Sequence, residues 1–216
     1  MPDATLLASA LLFDMDGTLV DSTPCIEGLW TRWSVRHGLD PASVMQEVHG
    51  RRGVETIRIV APHLDAEHEV RLLLEEEART LDGTIAMPGA LSFLQQLDGL
   101  NWTVVTSAPR DIAAAKLRWA GLPVPERMIA AEDVSDGKPH PAPYLAGAAL
   151  CGVTPDSCIA FEDAASGIAS AGAAGMPVVV MQHAHSPATG GTYRVSTFDQ
   201  IRITHRDGAF HLSIQE

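Results

Sequence analysis

Basic side chains are scarce in this chain. Fifteen Lys and Arg face 27 Asp and Glu, a net charge of −12, and only two of the fifteen are lysines, Lys116 and Lys138. That balance argues against a general affinity for nucleic acid or anionic lipid, so any phosphate must be bound locally. Cysteine is also sparse: Cys25, Cys151 and Cys158 are odd in number and show neither CxxC nor His-paired zinc spacing, and they read as reduced structural thiols of a cytoplasmic protein. No apolar run is long enough to span a bilayer. The N-terminal one has no basic region before it and is interrupted by Asp14 and Asp16, so neither a signal peptide nor a membrane anchor is expected. Low-complexity tracts and internal repeats are absent as well.

What is present is a chain of 216 residues, 46% of them apolar, enough for one large domain or one domain carrying an insertion. Its most informative stretch is Leu11-Leu12-Phe13-Asp14-Met15-Asp16-Gly17-Thr18, a short apolar run ending in two carboxylates one residue apart. A parallel strand covered on both faces shows continuous apolar side chains, and ligands of open α/β sheets collect just beyond the strand ends. Two carboxylates forced together repel unless a cation or a proton separates them, so the pair implies a divalent metal, a protonated partner, or both.

From about Ile26 to Gly83 the pattern is helical. Ile26, Leu29, Trp30 and Trp33 recur at helical spacing and read as core. Asp40-Pro41 opens a short helix, Val54, Ile57 and Val60 mark a third, and Asp65 caps a fourth that carries Val70, Leu73, Leu74 and Leu81 and stops near Gly83. Glu75-Glu76-Glu77 reads as its wet face. After Pro88 the rhythm changes. Strands are expected at 102–106, 128–131, 157–161 and 177–181, and helices at 90–97, 111–120, 141–150 and 164–174. That alternation signals a parallel sheet with right-handed crossovers. Leu11–Phe13 must join this sheet, which makes the helical block an insertion after strand one, a lid over the strand ends. The tail from 186 onward reads as an edge strand or packing segment, and His183 and His185 as solvated loop histidines.

Other expected strand ends also carry polar chemistry. Val104-Val105 runs into Thr106-Ser107, Ile159-Ala160-Phe161 into Glu162-Asp163, and the loop Ser135–Pro139 presents Lys138. A carboxylate, an acid two residues later, a hydroxyl, a lysine and an acidic pair make a complete phosphoryl-transfer set. In this order, Asp14-Met15-Asp16-Gly17-Thr18, Thr106, Gly137-Lys138-Pro139 and Glu162-Asp163 resemble the four motifs of the haloacid dehalogenase superfamily of phosphohydrolases, over residues 8 to 181.

The resemblance implies an α/β fold: a Rossmann-like parallel-sheet core, residues 1–21 and 86–216, with an inserted all-helical cap, residues 22–85. It implies Asp14 as the nucleophile that becomes an aspartyl phosphate and Asp16 as the acid/base. Lys138 and Thr106 would orient and neutralise the transferring group. Mg²⁺ would be held by the Asp14 side chain, the Asp16 backbone carbonyl and Asp163, with Glu162 acting through water. Family dehalogenases need no acid at the Asp16 position, which favours phosphoryl transfer. Phosphonate hydrolases use a cap lysine, and residues 22–85 contain none. Mutase relatives carry a histidine where Ile26 aligns, which favours hydrolysis.

For substrate choice, His49-Gly50-Arg51-Arg52-Gly53 resembles a segment of family phosphatases of small sugar and polyol phosphates, with Ser107 beside it. The expectation is a cytoplasmic Mg²⁺-dependent sugar or polyol phosphatase, a monomer or weak homodimer with no nucleic-acid or membrane partner. The alternatives are a β-phosphoglucomutase-like mutase and a non-enzymatic phospho-receiver. Receiver domains are shorter and place their acid pair differently.

Overall fold

In the computed structural model, which describes residues 5–183, 186–187 and 189–214, β1 (Thr5–Ala8) leads into β2 (Ala10–Phe13), all four of whose residues are buried. The acid-bearing turn and a two-residue strand, β3 (Val20–Asp21), come next. Four helices follow: α1 (Thr23–Arg36), α2 (Pro41–Met45), α3 (Gly53–Val60) and α4 (Ala66–Glu77). The chain returns through β4 (Ile85–Ala86), antiparallel to β3, into α5 (Ala90–Gln95), β5 (Trp102–Val104), α6 (Arg110–Trp119) and α7 (Ala142–Leu150). Then come β6 (Cys158–Glu162), α8 (Ala165–Ala173), β7 (Val178–Met181), β8 (Tyr193–Val195), β9 (Ile201–Arg206) and β10 (Ala209–Ile214).

The main sheet runs β5-β2-β6-β7-β8 with every pairing parallel. Its period of two explains why β2 is apolar throughout. Leu11 and Phe13 enter one core with Phe93, Phe161 and Phe198, whereas Ala10 and Leu12 enter the opposite one with Tyr144 and Val180. The Phe13 and Phe161 rings stack at 4.5 Å between centroids, directly beneath the polar strand ends. Each large ring buried in this way contributes about 3 kcal/mol by the area it removes from water.

The strand expected at 128–131 does not form. Only one bridge, Val105 to Ile129, is made, because the Asp133 carboxylate accepts the Ala130 N–H at 2.7 Å and the chain turns into a 3₁₀ segment at Ala131–Asp133. The tail supplies an edge strand, β8, and two strands of a second sheet, β1-β10-β9, which the N-terminal β1 completes and in which Asp207-Gly208, both at positive φ, make the tight hairpin turn.

The inserted helices close on their own core of Leu29, Trp30, Trp33, Val44, Ile57 and Leu73. Trp33 donates its Nε1–H to Glu69 Oε2 at 2.9 Å, which satisfies the indole's polar edge. Asp40 caps α2 by accepting from the Ala42 and Ser43 N–H groups, with Pro41 in the first turn where no N–H is needed. Asp65 caps α4 by accepting from His68 N–H. That helix ends at Glu77, short of Gly83. No helix among the described residues is long and apolar enough to cross a membrane.

Candidate active site

Two neighbouring parallel strands, β2 and β6, deliver their acids to one place. β2 ends in Asp14, and Asp14 N–H donates to the Phe161 carbonyl on β6 at 2.9 Å, so the strand pairing itself carries on into the first acid. β6 ends in Glu162 and Asp163. Oxygens of Asp14, Glu162 and Asp163, all buried, lie within 4.8 Å of one another. Gly17 makes this proximity possible. Its φ is +83°, and a Cβ there would stand 2.2 Å from Asp163 Oδ2.

Three buried acids need positive charge. Lys138 supplies one unit, with Nζ 2.6 Å from Asp14 Oδ1, 2.6 Å from Glu162 Oε1 and 3.0 Å from the Val105 carbonyl. Burial opposes the ammonium, but Asp14 and Glu162 outweigh it and hold Lys138 protonated well above its usual range. The Asp14 carboxyl is pushed up, chiefly by burial and then by Glu162 and Asp163, against the lowering effect of Lys138. Asp163 is likewise raised by burial. The anion is therefore under-compensated, and these hard oxygen donors fit a divalent cation.

Glu162 is more heavily engaged than expected. Oε1 accepts from Lys138 and from the Tyr144 hydroxyl at 2.7 Å, and Oε2 accepts from the Asp163 and Ala164 N–H groups. Its geometry is that of a Lys138 holder, even though it lies within reach of the metal cluster. Asp163 accepts from Thr18 Oγ1 at 3.3 Å. His183 is not solvated as expected: its Nε2 lies 2.9 Å from Asp163 Oδ2, and that hydrogen bond raises the imidazole pKa. His185 lies outside the described residues.

Asp16 emerges beside Asp14. Oδ1 accepts from the Ser22 hydroxyl and, at 2.8 Å, from Lys116 Nζ, while Oδ2 has no hydrogen bond among the described residues. Thr106 is buried, and its Oγ1 accepts from Ala108 N–H at 3.1 Å, a local turn bond. Ser107 Oγ donates to the Gly50 carbonyl at 3.0 Å, and Ser166 Oγ donates to the His49 carbonyl. His49-Gly50 thus touches the core through its backbone. A Cβ on Gly50, whose φ is +76°, would meet Ser166 Oγ at 2.3 Å.

Arg51 pairs with Glu47 at the cleft rim. Arg52 forks to Glu55 and donates to the carbonyls of Val134 and Ser135, so its guanidinium clasps the helical insertion to the loop before Lys138. These residues border a cleft of about 500 Å³ between the strand ends and the helices. Asp14, Asp16 and Asp163 line its floor, and Ile26, Trp30, Val54 and Val70 form much of its roof.

Lys116, Glu77, Ser22 and Tyr144 escaped the motif reading. Lys116 left a usable signal: it lies four residues after Ile112 and next to Leu117, so the apolar stripe of α6 contains one of the chain's two lysines. Glu77 is drawn from the expected wet face to 2.6 Å from Lys116. Ser22 and Tyr144 gave no distinguishing pattern.

A family model for haloacid dehalogenase-like hydrolases matches residues 8–175. Hexitol phosphatase A of Escherichia coli is 42% identical over 175 residues, covering 79% of this chain and 81% of that protein. Glycerol-1-phosphate phosphohydrolase 2 of Saccharomyces cerevisiae is 34% identical over 187 residues, covering 81% and 75%. Among solved structures, a β-phosphoglucomutase from Clostridium difficile superposes with a TM-score of 0.75 at 21% identity, covering 90% of this chain and 93% of that one, and so shares the fold. With the acid pair, the lysine and the acidic cluster meeting at the ends of a parallel sheet, the chain belongs to the haloacid dehalogenase-like hydrolases.

Proposed function

We propose that this chain is a phosphatase of small phosphorylated sugars or polyols, working through an aspartyl phosphate on Asp14. The observation that carries the reading is the pairing of two anchored carboxyl groups: Asp14 and Asp16 each have Oδ1 tied to a lysine, and both line the same cleft. The curated relatives named for hexitol and glycerol phosphates support the substrate class.

In the first half-reaction Asp14 attacks phosphorus. The Asp14 O–P bond forms as the ester P–O bond breaks, and Asp16 gives its proton to the departing alkoxide. In the second, water attacks phosphorus and loses a proton to Asp16, and the Asp14 O–P bond breaks to release phosphate. Lys138 remains on Asp14 and Glu162 throughout and neutralises charge on the phosphoryl oxygens, with the Thr106 hydroxyl and the Ser107 backbone N–H as donors. Asp14, Asp163 and the Asp16 carbonyl would hold Mg²⁺, with Glu162 nearby, and the bound ion supplies further charge neutralisation at the phosphoryl group. His49, Gly50, Arg51 and Arg52 frame the leaving group, Arg52 chiefly by fixing the helices against the core. The enzyme in this reading is cytoplasmic, a monomer or weak homodimer, with a small phosphate ester as its partner.

Mutase chemistry is the second reading, raised by the shared fold with β-phosphoglucomutase. Ile26, an apolar cleft residue, stands where mutase relatives carry a histidine, which favours water as the acceptor. A panel of hexitol, glycerol and hexose phosphates tests both readings, with glucose 1-phosphate isomerisation followed in parallel. Steady phosphate release without isomerisation is the expected result. Isomerisation exceeding release would replace hydrolase with mutase, and stoichiometric self-phosphorylation without turnover would sink both. Asp16→Asn should slow alkyl phosphates by about 10²-fold or more and p-nitrophenyl phosphate far less, because acid assistance matters most for a basic leaving group.

A further inference from the structure

Lys116 belongs to none of the motifs, yet it is almost fully buried at the edge of the reaction cleft. It is rooted in the core helix α6, one turn beyond Ile112. Its Nζ is 2.8 Å from Asp16 Oδ1 and 2.6 Å from Glu77 Oε1. Glu77 is the last residue of α4, within the inserted helices. One ammonium therefore joins a reacting group of the core to the end of a helix in the insertion.

Placing a lysine here has a cost that packing alone does not justify. Desolvating an ammonium is offset only by close, well-aligned anions, and an apolar residue on the buried face of α6 would suffice to fill the space. The two carboxylates that compensate it come from different parts of the fold, so the full arrangement exists only when α4 lies against the core. Lys116 and the Ser22 hydroxyl both engage Asp16 Oδ1. With Oδ1 anchored, Oδ2 is the oxygen left to exchange a proton with the leaving group and then with water.

We propose that Lys116 is a positioning residue that fixes the orientation of Asp16 and, through Glu77, makes that orientation conditional on the helical insertion being docked. The proposal rests on the phosphatase reading and adds to it a device that confines acid/base assistance to the closed cleft. When α4 moves away, Lys116 loses half of its compensation and Asp16 loses a fixed partner. Assistance then falls without any change in the nucleophile.

The test uses the full chain with Mg²⁺ and two substrates, glycerol 1-phosphate as an alkyl ester and p-nitrophenyl phosphate as an aryl ester. Lys116→Met should lower kcat on the alkyl ester at least about tenfold more than on the aryl ester, with KM little changed. Glu77→Gln should shift the ratio in the same direction by a smaller factor, and Lys116→Arg should restore much of it. Equal losses on the two esters, or a loss confined to KM, would overturn the proposal by reducing Lys116 to a structural pair. If Lys116→Met does not fold, Glu77→Gln carries the same decision: an unchanged alkyl-to-aryl ratio rejects the coupling. A parent enzyme that releases phosphate and an Asp16→Asn variant that shows the split establish the underlying reading independently. Absence of both would remove that reading and this proposal together.

Discussion

Lys138 Nζ lies 2.6 Å from Asp14 Oδ1, with the lysine side chain fully enclosed and the aspartate nearly so. Removing either member has unequal consequences. Asp14→Asn leaves Lys138 its bond to Glu162, so the fold should survive while phosphate release vanishes. Lys138→Ala strands buried carboxylates and should cost about 3–5 kcal/mol as well as activity. Urea denaturation beside a phosphate-release assay measures both; residual turnover by Asp14→Asn would refute Asp14 as nucleophile.

Gly17→Ala should disable the site from outside the catalytic groups. The new Cβ meets Asp163 and must adopt a φ of +83°, so Mg²⁺ affinity measured by titration calorimetry should drop sharply. Gly38→Ala is the control, with φ +67° and nothing within 4 Å of a Cβ. It should cost only the backbone term, about 1 kcal/mol, and leave metal binding intact. Equal metal affinity in the two variants would count against Asp163 as a ligand.

Metal removal should abolish activity reversibly. A cation held by the native cluster of Asp14, Glu162 and Asp163 would favour the folded state, so adding Mg²⁺ to stripped protein should raise Tm, by the equivalent of about 2.7 kcal/mol at a hundredfold excess over Kd. Asp163→Asn should shrink that rise. A Tm indifferent to Mg²⁺, together with turnover that survives EDTA, would exclude the site as a metal centre.

Glu76 provides a pH-dependent test within the helical insertion. Arg32 Nε lies 2.7 Å and Arg36 Nη2 3.3 Å from its carboxylate, and together they outweigh burial and hold its pKa below the usual value. A depressed carboxylate contributes stability above its unfolded pKa of about 4.3 and loses it as pH falls through the folded value. Both arginines are largely exposed, so Glu76→Gln should cost under about 1 kcal/mol at pH 7. The difference in unfolding free energy between parent and variant should narrow as pH is lowered from 7 toward 3; a gap that widens would contradict the sign.

The sheet was legible because burial on both faces makes its strands near-continuous apolar runs, and the helices because Asp40 and Asp65 announce their starts. The motif acids were legible because strand ends converge on one edge. What sequence could not resolve were the pairings across distance. Arg52 looked like a substrate ligand, but Glu55 and the 134–135 carbonyls claim its guanidinium, and nothing local distinguishes those uses. His183 acquires its partner only because β7 lies beside β6. The strand expected at 128–131 gave way to one side-chain bond from Asp133, a competition that β propensity does not register. Asp207-Gly208 was a readable hairpin signal, followed by Phe210, Leu212 and Ile214 at strict alternation.

The order of strands also bears on how the protein comes into being. Leu11 of β2 is paired with Trp102 on one side and Ile159 on the other, so the strand that carries Asp14 is made early and finds both neighbours late. Contacts this distant in sequence slow folding, and they leave β2 without its β-sheet partners while the helices form first. A nascent chain that ends before β6 holds Asp14 and Asp16 but lacks Glu162 and Asp163. The acidic cluster is therefore completed only once β6 has been made, and topology ties the assembly of the site to the later part of synthesis.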